Sequence, residues 1–98
     1  MVGLDQITLG KEDKKGGTMY LKAYPVKSYD DIAKVKEDLT HGSIVIIRFT
    51  PLAHRSVEEL AKLVDELYQF ALALGGDIAR LGEDRIVITP PGVKIYRG

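Results

Sequence analysis

The chain reads as a single-domain, two-layer α/β sandwich in βαβαββ(β) order, with two helices on one face of a mixed sheet. Three observations carry that expectation. Ser43-Ile44-Val45-Ile46-Ile47-Arg48-Phe49 holds four consecutive β-branched residues, the pattern of a central strand covered on both faces. Leu60, Leu63, Val64, Leu67, Ala71 and Leu74 form one apolar stripe at helical spacing. Asp77–Leu81 and Arg85–Thr89 flank Gly82-Glu83-Asp84, a short hairpin loop containing glycine.

Taken in order, residues 1–18 form a tail that ends in the charged, glycine-terminated linker Lys11–Gly17. Met1, Val2, Leu4, Ile7 and Leu9 precede it, and the alternatives for them are membrane contact, a frayed tail or an added edge strand. At about 100° per residue, Leu4 and Ile7 share one side of a helix while Val2 and Leu9 fall opposite, so its amphipathic character is poor. The folded domain is expected over residues 19–98. Met19–Val26 alternates Leu21, Ala23 and Pro25 with Tyr20, Lys22 and Tyr24, as a strand does. Ser28 and Asp31 have capping-box spacing, and Ile32, Val35 and Leu39 continue at helical intervals to the stop at His41-Gly42.

Thr50–Arg55, with Pro51, reads as a loop. Ser56 and Glu59 make a second capping box and open a helix of about eighteen residues, which Gly75-Gly76 ends. Tyr68, Phe70 and Leu72 lie off its apolar stripe. Pro90-Pro91-Gly92 breaks the pattern, and Val93–Tyr96 reads as a further edge strand. Right-handed crossovers put both helices on one face, which leaves the other face without a cover. A homodimer packed sheet on sheet is the simplest cover, and the apolar end of the long helix is a second contact surface.

Composition narrows the function. Ninety-eight residues make one domain, and fourteen Lys plus Arg balance fourteen Asp plus Glu. A neutral chain argues against a broad nucleic-acid footprint, which needs clustered excess cation. The chain has no cysteine, hence no disulfide framework and no zinc–thiolate site. No apolar run reaches the ~18–20 residues of a membrane span, and a cytoplasmic setting is expected. The absence of Asn and the presence of only two Gln lean towards a thermophilic source.

The chemistry-bearing residue types give little support for catalysis. His41 and His54 stand in separate loops without acid or thiol at metal-ligand spacing. Gly75, Gly76 and Gly82 follow a helix and precede a strand, the wrong order for a phosphate loop. Asp30-Asp31 and Glu58-Glu59 fall in first helical turns, where negative charge is favourable. No hydroxyl nucleophile stands beside a base. A non-enzymatic protein without metal or cofactor is therefore expected. Arg80 differs in kind: a cation on a hairpin strand beside an apolar helix end suits a short peptide with a carboxylate and hydrophobic anchors, while the residues alone fit a solvated strand arginine better.

From Tyr24-Pro25 to Thr89-Pro90-Pro91-Gly92-Val93 the chain resembles SepF, the cell-division family that tethers the FtsZ ring to the membrane. The matching pieces are His41-Gly42, the Ile-Val-Ile-Ile strand, Asp65, Ala73-Leu74-Gly75-Gly76-Asp77-Ile78, Arg80-Leu81-Gly82 and Thr89-Pro90, about seventy residues in order. The resemblance implies a homodimer acting at the division site on the inner face of the cytoplasmic membrane. It also implies that the FtsZ C-terminal peptide binds in an apolar pocket near the dimer interface. The family's basic pocket residue falls on Arg80 and its aromatic hairpin residue on Ile86, with Leu81, Ile88, Leu67 and Phe70 as neighbours. Contacts between copies are expected at Ile46, Tyr68, Leu72, Gly75 and Gly76. Tyr68-Gln69 replaces the small Ser-Gly step of bacterial members, which implies a dimer that does not polymerise into rings. The longer loop with Pro51 and His54 implies an archaeal-type member. The competing reading is a small dimeric nucleic-acid-binding protein of the archaeal chromatin type, and the neutral charge and lack of a basic hairpin weigh against it.

Overall fold

The computed structural model describes residues 18–98, and the expected membrane-contacting residues Met1, Val2, Leu4, Ile7 and Leu9 lie outside them. Strand β1 (Leu21–Pro25) leads through a 3-10 turn at Tyr29–Asp31 into helix α1 (Ile32–Thr40). Strand β2 (Ile44–Arg48) is followed by helix α2 (Thr50–Arg55), helix α3 (Val57–Leu74) and the hairpin β3 (Asp77–Leu81) and β4 (Arg85–Thr89). The strands stand in the order β1-β2-β4-β3; β1 and β2 are parallel, and both contacts of β4 are antiparallel. The hairpin thus folds β4 back into the slot between β2 and β3.

Local chemistry explains the element ends. The Asp31 carboxylate accepts the main-chain N–H groups of Lys27 at 2.7 Å and Ser28 at 3.3 Å, closing the turn that opens α1. The Ser56 hydroxyl accepts the Glu59 N–H at 3.1 Å and caps α3. Glu59 does not complete the capping box. Its carboxylate accepts the Tyr29 N–H at 3.2 Å instead, tying α3 to the turn ahead of α1. Gly75 ends α3 with φ 88°, a left-handed position that favours glycine.

The core lies between the helices and one face of the sheet. Val35 and Leu39 of α1, Leu52 of α2, and Leu63, Leu67 and Ala71 of α3 pack with Val45, Ile47, Ile86 and Ile88. Along β2, Val45 and Ile47 are fully buried while Ile44 and Ile46 are half-buried and Arg48 is exposed. As expected, every helix packs on the same side, so the second face of β2 has no cover within one chain. The outer face carries Leu21, Ala23, Ile44, Ile46, Val87, Ala79 and Leu81, and Leu21 is 64% exposed.

Three expectations need correction. Thr50–Arg55 is a helix rather than a loop. Proline suits a first turn, whose N–H groups lack helical partners, and Leu52 anchors the segment in the core. The first strand is shorter than Met19–Val26. Val93–Tyr96 forms no strand: this segment is held by side chains, not by a ladder. The Thr89 hydroxyl donates to the Val93 carbonyl at 2.6 Å, and the Asp77 carboxylate takes the Ile95 N–H at 2.9 Å and the Arg97 guanidinium at 3.1 Å. That guanidinium also donates to the Ile78 carbonyl at 2.9 Å, satisfying part of the open edge of β3.

Gly76 sits where the chain reverses from α3 into β3 and is buried against the Thr89–Pro90 main chain. A Cβ there would stand 2.0 Å from the Thr89 carbonyl oxygen, so the position admits no side chain without main-chain movement. Gly76→Ala is expected to lower stability by about 3 kcal/mol. Gly75→Ala, which has open space but positive φ, is expected to cost about 1–2 kcal/mol. Urea unfolding of both variants checks the order.

Asp77 links stability to pH. Its pairing with Arg97, then the Ile95 and Ile78 N–H groups, holds its carboxyl far below the ordinary 3.8. With the folded value depressed, this contribution is fully present above about pH 4 and is lost as pH falls towards the folded value. Arg97→Gln should flatten the fall in stability below pH 4, as measured by thermal unfolding across pH.

Candidate peptide-binding groove

The inner-face position of Arg80 follows from register: it pairs with Ile86 while Leu81 pairs with Arg85, so the two neighbours point to opposite faces. Ile78, Arg80 and Ile86 therefore stand on the helix side. There a groove of about 520 Å³ runs between α3 and β3. Ala61, Val64, Asp65 and Tyr68 form its helix wall, and Ile78, Arg80 and Ile86 its sheet wall, with Ala79, an outer-face position, reached between them. The lining is apolar apart from Arg80 and Asp65, together with the Tyr68 hydroxyl.

Arg80 is held in place. Its Nε donates to the Gly82 carbonyl at 3.0 Å and its Nη2 to the Glu83 carbonyl at 3.0 Å, so it caps the hairpin loop. Its guanidinium carbon lies 5.8 Å from the Phe49 ring centroid. Of five N–H donors, two are occupied in this way, and the others remain available to an acceptor. Asp65 has no hydrogen bond or ion pair among the described residues. Arg80 and Asp65 thus place opposite charges on one groove without neutralising each other.

The six expected peptide-contacting residues separate in space. Arg80 and Ile86 line the groove, Ile86 forming its floor at 7% exposure. Leu67 and Ile88 are fully buried in the core and shape the floor from behind, so neither offers surface to a ligand. Leu81 is on the outer face. Phe70 packs against the core beneath the Lys36 ammonium, 5.2 Å from its ring centroid, and does not line the groove. Sequence reading missed Ala61, Val64, Asp65, Ile78 and Ala79 as lining. The helical offsets 61, 64, 65 and 68 carry that signal once the core stripe 63, 67, 71 is fixed.

Of the residues expected between copies, Tyr68 also lines the groove, and Leu72 is half exposed on the same outward stripe of α3. Gly76 is enclosed by its own chain and is unavailable to a partner. Gly75 is exposed, and Ile46 is half-buried on the outer sheet face.

Elsewhere, the buried Asp38 and the half-buried Glu66 are paired in ways that brace the fold. Burial pushes the Asp38 carboxyl up, but the Tyr24 hydroxyl at 2.7 Å and Lys22 at 3.0 Å hold it below its ordinary value. Lys36, then the Tyr29 hydroxyl, hold Glu66 below its ordinary value. Both clusters link helices to neighbouring elements. No group of His, Cys, Asp or Glu among the described residues could hold a metal ion. No described helix is long and apolar enough to cross a membrane.

The family model described as cell division protein SepF matches residues 22–95. The chain belongs to the SepF family. It is 35% identical over 68 residues to a cell division protein SepF of Haloferax volcanii, covering 68% of this chain and 56% of that protein. It is 32% identical over 76 residues to the SepF of Lactobacillus gasseri, covering 78% of this chain and 51% of the relative. The chain thus spans about half the length of these relatives. Among solved structures, a SepF-like protein from Pyrococcus furiosus superposes with TM-score 0.75 at 31% identity, covering 84% of this chain and 99% of that one. SepF from Methanobrevibacter smithii, solved in complex with FtsZ-CTD, shares the fold with TM-score 0.71 at 23% identity, covering 81% and 99%.

Proposed function

We propose that this SepF-family chain is a non-enzymatic division adaptor whose groove between α3 and β3 binds the C-terminal peptide of FtsZ. The observation that carries this reading is the groove itself: an apolar cleft with a fixed guanidinium at its rim. Family membership supports it, as does the solved complex of a SepF with that FtsZ segment. Apolar anchors of the peptide would lie over Ile78, Val64 and Ile86, with a peptide carboxylate on the free N–H groups of Arg80. Tyr68 would supply an amphipathic contact of the kind enriched at binding hot spots.

The adaptor acts as a homodimer, with residues 1–10 contacting the membrane through Met1, Val2, Leu4, Ile7 and Leu9. Two surfaces suit the seam. The outward stripe of α3, Val57, Ala61, Tyr68 and Leu72, is apolar apart from Asp65 and continuous with the groove. A seam there places the peptide site beside the partner copy, and we assign it to that stripe. The outer sheet face around Ile46 is the other surface. Doubling a weak tail anchor raises its effective membrane affinity without new contacts.

Anisotropy with a labelled FtsZ C-terminal peptide from the same organism should show saturable binding. Arg80→Ala and Tyr68→Ala should each weaken it about tenfold, roughly 1.4 kcal/mol, while exposed Lys27→Ala leaves it unchanged. Absence of binding by a verified dimer would overturn the peptide reading.

The seam is tested by sedimentation at fixed concentration. Leu72→Lys should yield monomer, and Ile46→Lys should remain dimeric. The reverse result moves the seam to the sheet face.

A further inference from the structure

A second polar feature lies on the opposite side of the sheet, away from Arg80. Arg48 of β2 and Arg85 of β4 are direct cross-strand partners in the antiparallel ladder. Their side chains therefore leave the same face at closely spaced positions. Like charges placed opposite one another destabilise a strand pair. Both side chains are exposed, and relief within the chain is slight: Arg85 Nε stands 3.6 Å from the half-exposed Asp84 carboxylate. Arg48 makes no side-chain hydrogen bond or ion pair among the described residues. The β3–β4 loop is nevertheless fixed beside it, since the Phe49 N–H donates to the Asp84 carbonyl at 3.0 Å.

These groups surround a cavity of about 460 Å³ whose walls are Ala23, Pro25 and Ile46 with Arg48, Asp84 and Arg85, alongside Tyr24. We propose that this pocket binds a phosphate group, the Arg48 and Arg85 guanidiniums both donating to its oxygens. A phosphate has more non-bridging oxygens than a carboxylate and spreads them tetrahedrally, so it can accept from two guanidinium forks that approach from different sides. Charge agrees: two arginines and one aspartate leave a local excess of one positive charge, which a phosphodiester or phosphate monoanion cancels. The apolar floor accommodates a ligand whose uncharged part adjoins its phosphate. A free phosphate compound and a phospholipid headgroup share that chemistry. Because Arg80 faces the other way, this site is independent of the peptide groove.

The test uses the full chain, 15N-labelled, titrated with sodium phosphate against sodium chloride at matched ionic strength. Saturable shifts of the Arg48 and Arg85 Nε–H resonances are expected with phosphate alone, and not at Arg55. Arg48→Gln and Arg85→Gln should each weaken binding at least about tenfold, and Arg48→Lys less so. Equal shifts with chloride, equal saturation by acetate, or indifference to both Gln variants would overturn the proposal. Flotation with phosphatidylglycerol vesicles distinguishes the sources. Residues 1–10 are common to both proteins, so flotation is compared at a vesicle concentration that floats only part of the native chain. A smaller floated fraction for Arg48→Gln than for the native chain assigns the site to a headgroup, whereas equal fractions with retained phosphate shifts in the native chain assign it to a soluble phosphate.

Discussion

The close approach of Gly76 to the Thr89 carbonyl governs the rest of the architecture. It lets the chain reverse within two residues after α3, so β3 starts directly at the end of the helix that covers the sheet. Thr89 then secures the reversal from its side chain, accepting the Asp77 N–H at 2.8 Å and donating to the Val93 carbonyl. The separation of α3 from β3, and with it the width of the groove, is set at this junction. A larger residue at Gly76 would move the helix end relative to the hairpin and alter the groove, whose sheet wall begins at Ile78.

That junction is stiffened from outside by Asp77 and Arg97. Together they convert a C-terminal segment without ladder bonds into a strap along the start of β3. The strap covers the edge at Ile78 and leaves the main chain near Arg80 beside the groove. Open strand edges invite further pairing. The Arg97 guanidinium on the Ile78 carbonyl shields one part of that edge. The rigid hairpin loop, capped by Arg80, belongs to the same device. The residue offered to a ligand is also the one that orders the loop holding it.

Much of the fold was legible in the sequence because its signals are local. The long helix, the hairpin bounds and the glycine stop follow from apolar spacing and from residues that tolerate few conformations. The failures are equally physical. Pro51 suggested a break because proline ends helices far more visibly than it starts them, and the buried Leu52 gave only one residue of periodic signal. The β-branched run of β2 fits burial on two faces or on one face plus an association surface, and composition does not distinguish these. The site was less legible than the fold. Arg80 and Ile86 stood out by residue type, but Leu81 required the strand phase. Leu67 and Phe70 required knowing which side of α3 the sheet occupies. Arg48 and Arg85, thirty-seven positions apart in the chain, meet only through the antiparallel register.

The two faces of the sheet suit different chemistry. The helix side has an apolar cleft flanked by one cation and one carboxylate, fit for a peptide. The open side has small and branched apolar residues with two arginines at one corner, fit for an anionic group beside an apolar one. In the proposed adaptor, sites separated by the thickness of a sheet would not compete with each other. The central claim is that the α3–β3 groove receives the FtsZ tail. It is tested most directly by mapping chemical shifts of the labelled chain on addition of that peptide. Perturbations confined to Ala61, Val64, Tyr68, Ile78, Ala79 and Arg80 are the predicted result. Perturbations centred on Ala23, Ile46 and Val87 of the outer face, with the groove silent, would contradict it.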